Sequence, residues 1–303
     1  MAMTYTYEFF GLTLSLPFLC PFLPETKNDS EPDVTLTCGQ VPNELSDAVA
    51  TNDTWEIGYC WQAAPGRFLI TGGRKSGCFL VEDGSRITMQ RNPEAEDERI
   101  LFHLLHSVTA ALFRQRGLLT LHASTVNTHA GAIVLCGRSG AGKSTTLTAM
   151  LHSGCGMISD DVTVLRFNAV GRVEAAPGSR RMHLSEDAAR CLGLNVSGLG
   201  SHPMRRAKRA LTAPGELSHV PIQLRKLFIL ESSSGNEFRI SGLKGAAKLN
   251  ALMDCVYGPL IREEHPELFA LFSATAAQAD IFRIQRPEGR WTVDEVVKAV
   301  LNG

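Results

Sequence analysis

The chain has 303 residues, of which 44% are apolar and 20% charged, and its formal net charge is −1. This length allows one large domain or two modest ones, and the composition is typical of a soluble globular protein. Without a net basic charge, a polyanion-binding surface over the whole molecule is not expected, so nucleic acid is excluded as a partner. No run is long and apolar enough to span a bilayer, so no membrane partner is expected either.

Residues 1–92 read as short strands separated by turns. The segments DVTLTCG, GRFLITGG and GCFLVEDGSRITMQ are apolar or alternating, and Asp83-Gly84 predicts a hairpin turn in the last of them. The earlier stretch FFGLTLSLPFLCPFLP is similar in hydropathy to an export signal, but no Lys or Arg precedes it and three prolines interrupt it. Leu12, Leu14 and Leu16 alternate with polar residues there, which predicts a buried strand in a β-rich N-terminal domain.

The cysteines are scattered, without a C-x-x-C pair or zinc-like spacing. They stand at positions 20, 38, 60, 78, 136, 155, 191 and 255. In a chain of this size such a pattern indicates reduced thiols rather than a disulfide framework. The chain is therefore expected in the cytoplasm.

A linking helix is predicted to open the second domain, residues 93–303. Asn92-Pro93-Glu94 combines a capping residue, a first-position proline and an acidic residue. Apolar residues then recur at a spacing of four from Ile100 to Leu112, and Gly117 ends the pattern. The boundary is placed at 92, and any position up to 118 is compatible with the sequence.

After residue 118 the pattern changes to strand, glycine loop, helix and strand. LLTLHASTV and GAIVLCG are strands, KSTTLTAMLHSG is a helix, and GMISDDVTVLRF returns as a strand. This order is the core unit of an α/β nucleotide-binding fold. Farther on, we predict helices in LSEDAARCLG and AAKLNALMDCVYG, a basic loop over 202–209, a strand in LRKLFILES and a capped helix from Thr292.

The glycine loop matches G-x-x-x-x-G-K-S. Its predicted nucleotide-binding residues are Gly137, Arg138, Ser139, Gly140, Ala141, Gly142, Lys143, Ser144 and Thr145. The glycines let backbone N–H groups turn toward phosphates at a helix N-terminus, where the helix dipole favours anions. Lys143 is predicted to reach the β- and γ-phosphates, and the Ser144 hydroxyl to bind Mg²⁺.

Two acidic residues, Asp160 and Asp161, end the strand that follows the loop helix. At that end of an α/β sheet one carboxylate is suited to hold Mg²⁺ and the other to take a proton from an incoming hydroxyl. An exposed acidic turn is the alternative interpretation. His122, on the strand before the loop, is interpreted either as a hydrogen-bonded core residue or as a group that tunes or carries the proton of Asp160.

Taken together, LHAS, GRSGAGKS and ISDD resemble the catalytic core of the HPr kinase/phosphorylase family, over residues 118–165. The resemblance implies that Asp160 is the catalytic acid/base, His122 its partner and Asp161 a metal-side residue. Phosphoenolpyruvate carboxykinases have a similar loop and acidic strand. The implied fold class is therefore α/β, with a P-loop kinase core of the HPr kinase/phosphoenolpyruvate carboxykinase type and a β-rich N-terminal domain.

The downstream family segments similar to E-I-R-G-L-G and V-R-P-G-R-N are not recognised in this sequence; their neighbourhoods read PGSRRMHLSED and VPIQLRKLFILE. The layout looks closer to the HPr-kinase-like proteins of lasso-peptide clusters. That resemblance implies an ATP- and Mg²⁺-dependent kinase acting on the C-terminal serine of a precursor peptide. An HPr-type protein serine kinase and a non-catalytic ATP-binding regulator are the alternatives, and the oligomeric state stays open.

Other nucleotide-dependent classes lack their signatures here. There is no L-S-G-G-Q segment of a transporter ATPase and no N-K-x-D segment of a GTPase. Two basic groups are candidates for binding phosphate or an acidic substrate end, with an ordinary solvated surface as the alternative. They are Arg180 and Arg181, and the group Arg205, Arg206, Lys208 and Arg209.

Overall fold

The computed structural model describes residues 3–27, 30–54, 58–197, 199–202, 205–213, 217–258 and 266–302. It is a mixed α/β structure that divides into two compact units. Unit 1 comprises Met1–Leu118 and Gly258–Leu268, and unit 2 comprises Leu119–Tyr257 and Phe269–Gly303. The helical residues that the sequence assigns to the second domain belong to unit 1. Among the described residues, no helix has the length and apolar character needed to cross a membrane.

Unit 1 is built on an eight-stranded sheet with the order β1-β2-β3-β8-β7-β6-β5-β4. Its strands are β1 (Tyr5–Phe9), β2 (Leu12–Leu16), β3 (Val34–Cys38), β4 (Ala50–Asn52), β5 (Tyr59–Ala64), β6 (Arg67–Gly72), β7 (Gly77–Glu82) and β8 (Arg86–Arg91). The predicted strand at Leu12–Leu16 is confirmed as β2, which pairs with β1 and buries Leu14 and Leu16. The hairpin is also confirmed, since Asp83 and Gly84 both have positive φ, at 50° and 61°.

The helix of unit 1 begins later than predicted and contains a wider turn. It comprises α1 (Asp97–His103), a π-helical turn over Leu104–Val108, and α2 (Thr109–Gln115). Asn92 accepts a hydrogen bond from the backbone N–H of Ala95 in a turn, so the chain enters the helix only after Glu96. Gly117, with φ of 72°, follows the helix as predicted.

Unit 2 contains a nine-stranded sheet whose main path runs β12-β10-β11-β18-β14-β13-β9, with β20 on β18 and β19 on β20. Its strands are β9 (Leu119–Leu121), β10 (Ala123–Thr128), β11 (Gly131–Gly137), β12 (Gly156–Ser159), β13 (Thr163–Phe167), β14 (Val173–Ala176), β18 (Ile222–Ser233), β19 (Arg239–Gly242) and β20 (Asp280–Pro287). β11, β18 and β20 are mutually parallel, and β11 and β12 are both antiparallel to β10. These four strands therefore end at the same edge of the sheet.

A second, three-stranded sheet of unit 2 has the order β15-β17-β16. Its strands are β15 (Arg181–Ser185), β16 (Ser201–His202) and β17 (Arg205–Thr212). The prediction of a basic loop over 202–209 was therefore wrong. β17 pairs with β15 from Arg181 opposite Thr212 to Ser185 opposite Lys208, and this partner strand lies too far away in sequence to be visible in a local charge pattern.

The described helices of unit 2 pack against its main sheet or join its strands. They are α3 (Lys143–His152), α4 (Glu186–Cys191), α5 (Ala246–Met253), α6 (Pro266–Gln278), which begins in unit 1, and α7 (Val293–Asn302). Leu147 and Met150 of α3, Val296 of α7, and Leu135 and Phe228 of the sheet share one buried cluster. This core fixes the start of α3 at the carboxyl edge of the sheet.

Candidate functional site

The glycine loop joins the end of β11 to the first residue of α3, in the strand–loop–helix context that the sequence indicates. Gly137 has φ of 141°, and a Cβ there would lie 2.4 Å from the Leu230 carbonyl oxygen. Gly142, with φ of 87°, immediately precedes the helix. Both positions require glycine. A side chain at Gly137 would collide with the backbone of Leu230, and any other residue at Gly142 would have to adopt a left-handed backbone conformation.

The predicted nucleotide-binding residues divide into an exposed tip and a buried base. Arg138, Ser139 and Gly140 are exposed, and Thr145 is half-buried in the first turn of α3. Ala141 is buried, and its carbonyl accepts a hydrogen bond from Nη2 of Arg286, on β20. The tip is thus accessible while its base is fastened to the sheet.

Lys143 is only 5% exposed although it carries an ammonium group. Its Nζ donates to the carbonyl of Gly137 at 2.8 Å and lies 3.4 Å from that of Arg138. Burial lowers the pKa of Lys143, and the charges of Asp161 and Asp160 act in the opposite direction. The Lys143 ammonium therefore lies at the carbonyls of the loop, and the negative charges of Asp160 and Asp161 favour its protonated form.

The acidic pair follows β12 directly, where the strand has ended. Asp161 has φ of 64°, and the N–H of Val162 donates to the Asp160 carbonyl at 2.8 Å, closing a three-residue turn. Such a turn with positive φ at a residue other than glycine is strained and uncommon. The side chains of Asp160 and Asp161 therefore need not point to opposite faces, as those of consecutive strand residues do.

The Asp160 carboxylate is buried among polar groups. Its Oδ1 accepts from the hydroxyl of Ser124 at 2.5 Å and of Ser144 at 3.1 Å, and its Oδ2 accepts from the N–H of His183 at 3.3 Å. Burial, followed by the charge of Asp161, raises the pKa of Asp160 to about 6, although the Ser124 bond and Lys208 lower it. The group is thus ionised at neutral pH but close to its protonation range.

Asp161 is held through both its side chain and its backbone. Its Oδ2 lies 3.0 Å from Nδ1 of His183, whose Nε2 is 3.3 Å from Nε of Arg181. Because the guanidinium can only donate, His183 accepts on Nε2 and donates from Nδ1 to the carboxylate. Nδ1 of His122 likewise donates to the Asp161 carbonyl, at 3.1 Å.

The structure thus brings His122 to the acidic turn, through the backbone of Asp161. The sequence hypothesis pairs His122 with the Asp160 carboxylate instead, whose hydrogen bonds within the described residues come from Ser124, Ser144 and His183. His122 lies between β9 and β10, and its backbone N–H donates to the Cys255 carbonyl at 2.8 Å. This bond anchors its ring beside the turn.

The basic candidates have separate surroundings. Arg180 donates to the Ala213 carbonyl at 3.0 Å, and Arg181 contacts His183 as described above. Arg209 forms an ion pair with Glu186. Lys208, the residue before it on β17, is half-buried. The side chains of Arg205 and Arg206 lie outside the described structure.

Ser124, His183 and Arg286 belong to the site but were not singled out from the sequence. Ser124 had a signal, because it lies two residues after His122, the spacing that puts strand side chains on one face. His183 and Arg286 had none, since each reaches the site from a strand distant in sequence.

The oxygen atoms present fit a hard divalent cation. The Ser144 hydroxyl already contacts Asp160, and Asp161 follows in the same turn. Hydroxyl and carboxylate oxygens are the ligands that Mg²⁺ prefers. The α3 N-terminus and Lys143 supply the complementary surroundings for an anion beside it.

No protein-family model matches the sequence, and a search of curated proteins finds no match. Among solved structures, the chain is similar to the HPr(Ser) kinase/phosphatase from Coxiella burnetii, with 11% sequence identity and a TM-score of 0.29. The alignment covers 60% of this chain and 88% of the other. A likeness at this TM-score decides neither fold nor reaction, so both rest on the residues described above.

Proposed function

We propose that this chain is a kinase that transfers the γ-phosphoryl group of ATP to a serine hydroxyl of a peptide or small protein. The observation that carries the proposal is the contact between the glycine loop and the acidic turn: Ser144, in the first turn of α3, donates to the buried Asp160 carboxylate. A loop that only bound a nucleotide would have no need for a carboxylate with a raised pKa at this place.

In this proposal the loop and α3 hold the nucleotide. Backbone N–H groups and Lys143 bind the phosphates. The Ser144 hydroxyl and the Asp161 carboxylate hold Mg²⁺. The metal, when bound, neutralises charge on the phosphates. His183 and His122 keep Asp161 in its turn, through the side chain and the carbonyl respectively.

Asp160 serves as the proton acceptor. As the serine oxygen attacks the γ-phosphorus, its proton passes to the Asp160 carboxylate, whose pKa of about 6 suits a general base near neutral pH. Ser124 orients that carboxylate through the 2.5 Å hydrogen bond. The surroundings of Asp160 also limit water, a competing acceptor, because the residue is only 6% exposed.

For the acceptor we propose the C-terminal serine of a lasso-peptide precursor, on the strength of the sequence layout, with an HPr-type protein as the alternative. The sheet of unit 1 ends at β4, and an extended peptide can add to an edge strand of this kind. We place the reaction in the cytoplasm, in agreement with the free state of the cysteines in the described residues.

The test is mass spectrometry of serine-ended precursor peptides, and separately of HPr, after incubation with the protein, ATP and Mg²⁺. We expect a phosphoryl mass gain on the peptide serine, its loss in Asp160→Asn, and its retention in the control Asp187→Asn. Asp187 is an exposed aspartate of α4. Tight ATP binding without phosphorylation of either acceptor would replace the proposal with a regulatory nucleotide-binding protein.

A further inference from the structure

The three-stranded sheet places Lys208 on the same face as His183, the histidine that holds Asp161. In the register of β15 and β17, His183 is opposite Ala210 and Ser185 is opposite Lys208. Side chains of directly paired residues, and of residues two apart, share a face. His183 and Lys208 are therefore diagonal neighbours, about 7 Å apart at the backbone and within reach of a long side chain.

The charge of Lys208 acts on both halves of the site. Burial lowers the pKa of Lys143 and raises the pKa of Asp160. The Lys208 ammonium lowers both pKa values, so its charge adds to the effect of burial on Lys143 and opposes it on Asp160. Lys143 belongs to the glycine loop and Asp160 to the acidic turn. The Lys208 ammonium therefore acts on the electrostatics of both the glycine loop and the acidic turn.

We propose that Lys208, on the three-stranded sheet, is a catalytic residue that binds the transferred phosphoryl group. The inference rests on the proposed function and names a cation that the nucleotide-binding loop does not supply. Three observations support it: Lys208 lies on the face that carries His183, His183 contacts Asp161, and the Lys208 side chain is half-buried.

The transfer uses only ATP and the serine hydroxyl as reactants. The bond between the γ-phosphorus and the bridging oxygen breaks, and its electron pair stays on ADP. A bond forms from the serine oxygen to phosphorus, and the serine proton moves to Asp160. Lys208 keeps its protons and donates hydrogen bonds to the non-bridging oxygens, which a fixed cation stabilises in the transition state.

The neighbouring Arg209 provides a matched control. It lies on the opposite face of β17, beside Leu184, and its guanidinium is engaged by Glu186 of α4. Lys208→Met and Arg209→Met therefore remove one cation each from adjacent positions of one strand. Only the first variant removes charge from the face that carries His183.

The experiment compares ADP with adenylyl imidodiphosphate, a non-hydrolysable ATP analogue, by titration calorimetry in the presence of Mg²⁺. For Lys208→Met we expect about tenfold weaker binding of the analogue and unchanged binding of ADP, since a charge-assisted hydrogen bond to the γ-phosphate is lost. The peptide assay should show a fall in kcat of about 100-fold. Lys208→Arg should restore part of both, and Arg209→Met should leave both unchanged.

The outcomes separate this inference from the function on which it rests. If the unaltered chain bound neither nucleotide, the proposed function would fail, and the inference with it. If the unaltered chain bound both but Lys208→Met weakened ADP and the analogue equally, or neither of them, the inference alone would be overturned. A rise in the peptide KM without a change in analogue binding would also overturn it, by placing Lys208 on the acceptor.

Discussion

The two units bury ionisable side chains in opposite ways. In unit 1, His103 is 1% exposed, its ring meets those of Tyr59, Phe79 and Phe102, and its Nδ1 has no hydrogen-bond partner within the described residues. In unit 2, Asp160 is 6% exposed but accepts hydrogen bonds from two hydroxyls and a backbone N–H. Burial alone therefore does not distinguish a core residue from a site residue.

The pKa values of His103 and Asp160 reflect these different surroundings. Burial, assisted by His106 and Arg99, lowers the pKa of His103 to about 4, so this ring stays neutral as part of an aromatic core. Asp160 titrates at about 6 in a polar network that includes strained backbone at Asp161. A polar network around an altered titratable group indicates function, whereas an apolar shell indicates packing. Substitutions in both units sharpen or break this contrast.

Lys143→Ala should remove most of the function of unit 2. Loss of the ammonium that lies over the loop should lower phosphoryl transfer at least about 1000-fold and weaken ATP binding as well. Calorimetry and the peptide assay measure the two effects. Lys244→Ala, at an exposed position, is the control. Full ATP affinity in Lys143→Ala would contradict the role given to the loop.

His183→Leu should act through Asp161 rather than on the substrate. Leucine offers neither an acceptor for Arg181 nor a donor for Asp161, so the turn should lose its position and kcat should fall about tenfold. The Mg²⁺ concentration for half-maximal rate should rise in parallel, which a purely structural defect would not produce. An unchanged Mg²⁺ requirement would remove His183 from the positioning of the metal side.

Asp160→Asn should stabilise unit 2 while abolishing transfer. The folded-state pKa, about 6, exceeds the ordinary value of 3.8, so the folded chain binds more protons between these values and loses stability as pH rises through them. At neutral pH the amide should therefore raise the free energy of unfolding by about 1 to 3 kcal/mol. The gain should vanish toward pH 4 in denaturation curves; a gain independent of pH would contradict it.

His103→Phe should produce a smaller effect of opposite pH dependence, confined to unit 1. The folded-state pKa, about 4, lies below the ordinary 6.5, so the native chain loses stability as pH falls through that interval. Near pH 5.5 phenylalanine should stabilise unit 1 by about 1 kcal/mol. Amide hydrogen exchange, followed by mass spectrometry, reports each unit separately. His129→Gln, at an exposed position, should show no such gain.

Sequence alone predicted the parts of the molecule that depend on local rules. The order of β11, glycine loop, α3 and β12 follows from apolar runs and from glycines whose backbone angles only that residue adopts readily. The hairpin at Asp83-Gly84 follows in the same way, because a two-residue turn of this kind is a local preference. For the same reason the acidic pair could be placed at the end of a strand beside the loop.

Other features were decided only when distant strands paired. The late start of α1 depends on hydrogen bonds from the strand region before it, such as that from Asn92 N–H to the Ser76 carbonyl. β17 exists because β15 pairs with it, and this register is what brings Lys208 to the face of His183. Arg286 reaches the loop from β20, nearly at the other end of the chain. The sequence supplied the reactive side chains and the local turn that presents them, while strand pairing over long separations determined their partners, because no local rule specifies which distant strands come together.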